Sequence, residues 1–299
     1  MAALSRSFYR STLPILRCPY ELTTGYQPIP FPYPNPLKLE IINKKPDGET
    51  SKAPLLFVHG KWHGAWCWDE HFLPYFTGHG YDCTALSLRG HAGSEGYAGL
   101  RWHSIADYVS DVKQVASRFE TPPVIIAHSM GGFITQKYLE NHHEHPATVL
   151  LTPIPPTGLW PSTFIVLRER PFVLLKSIAS LSLYPVVETP EVARWSLFSD
   201  NFPTELLEKY QPKMQNESFR AYLDELGLNL VHTKLIKTPL LVIGAENDAF
   251  ISPAMVQHTS KIYDTQAEIF PDLAHDVMLE AGWEKVAKRI LEWLNDKGL

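Results

Sequence analysis

The 299-residue sequence predicts an α/β fold: a mostly parallel sheet flanked by helices and interrupted by one inserted helical cap. Three observations carry this expectation. Strand-like and helix-like stretches alternate from residue 37 to about 152. The alternation stops over 153–235, where helix-like runs broken by prolines take over. It resumes over 236–299 with the same short apolar strands. Parallel strands need crossover connections, and right-handed crossovers place helices on both faces of the sheet.

Each element has its own signal. "LKLEIINK" (37–44) alternates as a strand does and runs into the turn "KPDG". "APLLFVHG" (53–60) is a short continuous apolar run, the mark of a strand buried on both faces. "WDEHFLPYFTGHG" reads as a helix that stops at glycine, and "YDCTALSLRG" as the next strand. Ser104 is a good N-cap for a helix whose apolar Ile105, Tyr108, Val109, Val112, Val115 and Ala116 share one face. "PPVIIAHS", "MGGFITQKYLENH" and "ATVLLT" continue as strand, helix and strand. After the insertion come the strand "TPLLVIGAEND", the helix "PAMVQHTSKIY", the strand "AEIFP" and the closing helix "GWEKVAKRILEWL". The expected division is a core of 37–152 and 236–299, with 153–235 as the cap.

Residues 1–36 differ in character. Arg6, Arg10 and Arg17 precede any acid, and prolines fill every second position from Pro28 to Pro36. Such spacing gives an extended strap rather than a sheet strand. The expectation is an N-terminal arm on a cytoplasmic protein. An acid-poor, Arg- and Ser-rich start also fits a mitochondrial or plastid transit peptide.

Composition excludes several functions. The chain is 44% hydrophobic and 20% charged, with a net charge of −5, so nothing advertises a nucleic-acid partner. The cysteines Cys18, Cys67 and Cys83 have neither a disulfide framework nor metal-ligand spacing. No apolar run is long enough to span a bilayer. "NHHEH" (141–145) is expected to be a solvated loop, since it lacks the i,i+4 histidine pair of zinc hydrolases. Neither a metal nor a cofactor is expected. The sequon at Asn216 is expected to be unmodified.

Chemistry concentrates in "VIIAHSMGG" (124–132). Ser129 falls where a buried strand turns into a helix. A tight turn there projects its side chain out of the sheet, and the close helix–strand crossing demands small neighbours at Ala127, Gly131 and Gly132. The Met130 N–H opens the new helix and can donate to an oxyanion. A second donor is expected from Lys61, in the loop after "LLFVHG". A serine hydroxyl needs a base. Among 13 histidines, His275 in "FPDLAHDVMLE" has the required loop position, ahead of His258 and His232. Asp248, past the end of the preceding strand, is the expected acid, with Glu246 as its competitor.

Taken together, "FVHGKWHGAWCW", "LSLRGHAGSEG", "IIAHSMGG", "LVIGAEND" and "PDLAHDVM" resemble the α/β-hydrolase superfamily from about residue 37 to the end, apart from the cap. The resemblance implies Ser129 as nucleophile, Asp248 as orienting acid and His275 as base, with oxyanion donors at Lys61 and Met130. "LRGHAGS" is similar to a turn of lysophospholipase-like and esterase-like members. "HGKWHGAWCW" resembles a stretch of plant methyl esterases and hydroxynitrile lyases. Alanine at 127 replaces the usual first glycine of Gly-x-Ser-x-Gly and nearly meets its demand for smallness.

The expected function is carboxylic-ester hydrolysis of an apolar acyl or aromatic substrate, with peripheral lipid contact through the cap as a further option. Thioesterase, lactonase, amidase and C–C hydrolase or lyase activities use the same machinery. A ligand-binding receptor that retains the triad is the alternative of another class. His128 is expected to be a packing residue and His91 a turn residue. Trp62 and Trp102 are expected either to line the pocket or to sit in the core.

Overall fold

A computed structural model describes residues 37–299. The Pro-rich stretch 1–36, with Cys18, lies outside the described residues. In chain order the strands are β1 (Ile41–Lys44), β2 (Leu55–Val58), β3 (Cys83–Leu86), β4 (Val124–His128), β5 (Thr148–Leu151), β6 (Leu240–Ala245) and β7 (Ala267–Phe270). They form one sheet in the order β1-β3-β2-β4-β5-β6-β7. Only the β1–β3 pairing is antiparallel; the other described pairs are parallel. β2 to β5 are buried along their whole length, as their continuous apolar runs require.

Helices α1 (Trp66–Asp69) and α2 (Phe72–Gly78) follow β2, and α3 (Ile105–Ala116) and α4 (Met130–Leu139) flank β4. The Ser104 cap of α3 is a full capping box. Its hydroxyl accepts from the Asp107 N–H, and the Asp107 carboxylate accepts from the Ser104 N–H. Between β5 and β6 the described chain contains no strand. It forms α5 (Trp160–Glu169), α6 (Pro171–Ser180), α7 (Pro190–Leu197), α8 (Thr204–Tyr210) and α9 (Phe219–Leu223). Proline sits in the first turn of α5, α6 and α7, where its missing N–H costs nothing. α10 (Pro253–Ile262) and α11 (Trp283–Asp296) complete the fold. The catalytic candidates all sit beyond the carboxyl ends of β2, β4, β6 and β7, where open α/β sheets build their sites.

Candidate active site

The turn after β4 is strained. Ser129 has φ 50° and ψ −115°, a left-handed conformation that a residue with a side chain adopts only under constraint. The constraint is visible on both sides. The Ser129 N–H donates to Leu151 O, and its carbonyl accepts from the N–H groups of Phe133 and Ile154. Gly131 has no alternative: a Cβ there would stand 2.4 Å from His59 O and 2.5 Å from Val58 O. The start of α4 therefore presses directly onto the end of β2.

The three separated side chains converge. Ser129 Oγ lies 2.8 Å from His275 Nε2. His275 Nδ1 lies 2.7 Å from Asp248 Oδ2. The other carboxylate oxygen of Asp248 accepts the N–H groups of Phe250 and Ile251, each at 2.8 Å, which fixes the carboxylate. Asp248 is buried, whereas Glu246 is exposed; His258 and His232 are exposed as well. The His275 carbonyl accepts from His128 Nε2 and Thr152 Oγ1, each at 3.0 Å, so the imidazole is anchored through its backbone.

Lys61 and Met130 flank the serine. Met130 opens α4, so its N–H has no intrahelical acceptor. Neither N–H donates to a protein acceptor among the described residues. The Lys61 turn abuts Ser129 closely: a Cβ at Gly60 would come within 2.9 Å of Ser129 Cβ. Trp62 in this turn has φ 65°, and it is held at both ends. Its indole N–H donates to Leu183 O at 3.1 Å, and its carbonyl accepts from the Gln215 N–H at 3.0 Å.

A cavity opens over Ser129 and His275. Its apolar walls include Ile154, Leu159, Val166, Leu174, Val186 and Phe250. Trp62 lines it, whereas Trp102 is exposed. Most of the wall belongs to the helical insertion, which packs against the core through buried polar contacts. The Lys61 ammonium pairs with Glu225 at 2.5 Å, so its side chain has a role that loop position alone does not reveal. Burial pushes the Glu225 carboxyl up to about 7 in spite of that lysine. His91 is more than a turn residue. Its Nε2 meets Glu217 at 3.0 Å, and Tyr108 donates to the other Glu217 oxygen at 2.9 Å. Burial opposes ionisation of Glu217, but the His91 charge and hydrogen bond prevail and hold it near about 2.

Other expectations meet specific surroundings. In "NHHEH", His145 is buried rather than solvated and bridges Tyr138 and Pro123 O. Asn216 Oδ1 accepts from the Leu183 and Tyr184 N–H groups and from Ser182. Cys67 and Cys83 are buried thiols. No cluster of metal-ligating side chains occurs among the described residues, and no described helix is long and apolar enough to cross a membrane.

The profile of the alpha/beta hydrolase family matches residues 55–289. The chain belongs to that family. Solved structures superpose on the fold at low identity. BpoC of Mycobacterium tuberculosis, described as a non-heme bromoperoxidase, gives a TM-score of 0.70 at 18% identity, covering 87% of this chain and 96% of that one. A thermophilic esterase from Thermogutta terrifontis gives 0.65 at 19%, covering 89% and 96%. A monoacylglycerol lipase from Paleococcus ferrophilus gives 0.62 at 20%, covering 87% and 99%. No curated protein sequence matches the chain.

Proposed function

We propose that this alpha/beta hydrolase cleaves carboxylic esters through an acyl-enzyme on Ser129. The observation that carries the reading is the continuous Ser129–His275–Asp248 relay at 2.8 and 2.7 Å, on the floor of an apolar cavity. His275 takes the hydroxyl proton as Ser129 attacks the ester carbonyl. The oxyanion is received by the N–H groups of Lys61 and Met130. His275 then protonates the leaving alcohol, and water repeats the cycle to release the acid. Asp248 keeps the imidazole in the required tautomer and stabilises its positive charge. The esterase and the lipase among the structural neighbours support a hydrolase of this kind. The cavity wall of aliphatic and aromatic side chains favours an apolar acyl or aromatic group.

The 153–235 insertion acts in this reading as a cap with two faces. Inward, α5 and α6 supply Val166 and Leu174 to the cavity. Outward, they leave Trp160, Phe164, Phe172 and Leu175 62–83% exposed, the reverse of a water-facing helix surface. An apolar surface wrapped around an apolar cavity suits peripheral contact with a lipid phase. Flotation with phosphatidylcholine vesicles is expected to carry the wild type upward and to leave Phe164→Ser/Phe172→Ser behind.

Turnover of p-nitrophenyl esters from acetate to palmitate tests the activity. Hydrolysis by the wild type, with loss of roughly four or more orders of magnitude in kcat for Ser129→Ala, is expected. Tight retention of the ester without release of p-nitrophenol would favour a binding protein instead.

A further inference from the structure

Beneath the triad lies a second buried pair that the hydrolytic steps leave unused. His63 and Asp276 are fully buried, with Nε2 and Oδ2 3.0 Å apart. On its other side, His63 Nδ1 lies 2.6 Å from Lys61 O. A peptide carbonyl only accepts, so Nδ1 carries a proton. Nε2 faces a carboxylate, off the axis of a linear hydrogen bond, and a proton there is what makes the approach attractive. With Nδ1 protonated, a second proton on Nε2 beside an ionised Asp276 is the state in which the 3.0 Å approach is attractive. The burial cost of two charges is tolerable only because each offsets the other.

The pair joins two pieces of the machinery. Its histidine end grips the carbonyl of Lys61, the residue whose N–H is assigned to the oxyanion. Its acid end is the neighbour of His275. Between Lys61 and His63 stands Trp62, in its left-handed conformation at φ 65°, which relaxes unless held. Building on the hydrolase reading above, we propose that His63 and Asp276 are positioning residues: an imidazolium–carboxylate clamp that fixes the Lys61 oxyanion turn relative to the His275 loop.

The surroundings sustain this charge state. Trp66 stacks on the His63 ring at 5.2 Å, and Cys67 of the same helix is a buried thiol whose pKa burial raises well above its ordinary value. His128, at the end of β4, approaches Asp276 Oδ1 at 3.7 Å. Burial, together with the adjacent His275, lowers His128 to about 3, so it stays neutral. His59 also lies on the β2 side. Burial and His91 hold it well below its ordinary value, and its Nε2 accepts the Leu88 N–H. Glu217 faces the cluster from the insertion. Burial works against the His63 charge, but Asp276 outweighs it and leaves His63 above its ordinary value. In the same way His63 keeps Asp276 ionised in spite of burial. The elevated pKa of His63 favours the clamp, which is lost as pH rises through it.

Four variants and a spectrum test the clamp. His63→Leu and Asp276→Asn are expected to lower kcat roughly 10- to 100-fold with little change in KM, less than the 10²–10³ typical of a lost oxyanion donor. His63→Asn keeps a donor for Lys61 O but breaks the pair with Asp276, and should recover only part of the kcat lost in His63→Leu. In Asp276→Asn the alkaline decline of kcat should move to lower pH. His63→Asn/Asp276→Asn leaves no lone buried charge, and serves if a single variant does not fold. Unchanged kcat and pH profiles in folded variants would overturn the proposal, even if their melting temperatures fell. The ¹⁵N shifts of the His63 ring read the charge directly and do not depend on turnover. Two protonated nitrogens at neutral pH are expected, and a neutral ring would refute the clamp. Inactive wild-type protein with a doubly protonated His63 would count against the hydrolase reading alone.

Discussion

At the scale of single residues, the site depends on positions that allow almost no substitution. Gly131 is one. A methyl group there would meet two backbone carbonyl oxygens at 2.4 and 2.5 Å, and neither can swing aside as a side chain would. Gly131→Ala is expected to lower stability by about 1–3 kcal/mol in urea unfolding, the range of an overpacked core, and to displace Ser129. Asp248 is another. Asp248→Asn preserves shape but offers the wrong group to His275 Nδ1, and kcat is expected to fall by roughly 10⁴ with KM nearly unchanged. The convergence of the three candidate side chains was legible in the sequence. Ser129, Asp248 and His275 stand out because strand ends and loops dictate where a nucleophile, acid and base can sit. The Lys61–Glu225 and His91–Glu217 pairs were not legible. Their partners lie 164 and 126 residues apart, and no local pattern encodes which helix of an insertion covers which loop.

At the scale of elements, the insertion is tied to the core by polar contacts as well as apolar ones. Glu217 anchors it to His91 and Tyr108, and Gln215 to the Gly90 carbonyl and the Ala92 N–H. The Glu217 pKa is depressed in the fold to about 2 from an ordinary 4.5. Its contribution to stability is therefore present above the ordinary value and is lost as pH falls through the depressed one. Thermal unfolding of the wild type should weaken across that acidic window. Glu217→Gln should be less stable at neutral pH and show a shallower acid dependence there. An equally steep acid loss in the variant would show that other groups dominate. The helical nature of 153–235 could be read from its prolines and missing strands. The facing of its helices could not. α5 and α6 are apolar on both sides, so periodicity does not say which side meets the core.

At the scale of the whole molecule, the fold follows from the sheet. Strands buried on both faces, joined by right-handed crossovers, leave their carboxyl ends at one edge, and every candidate catalytic group emerges there. That inference needed only the β/α alternation and the apolar strand runs. β1 is legible as a strand from its alternating pattern, but its antiparallel pairing with β3 is not. Substrate preference is a property of the assembled cavity, whose wall draws on β-strand loops and three or more insertion segments at once. No stretch of sequence contains it. At this scale the exposed α5–α6 face makes vesicle binding the natural companion to chain-length selectivity. A preference for long acyl chains should strengthen when the ester is presented in a bilayer rather than free in water.

The central claim is covalent chemistry at one hydroxyl. Intact-protein mass spectrometry after exposure to a fluorophosphonate, followed by peptide mapping, reads it directly. One adduct per chain on Ser129, absent from Ser129→Ala and slowed in His275→Ala, is the expected result. A folded wild-type protein that gains no adduct, or carries it on another residue, would contradict the assignment of Ser129 as the nucleophile.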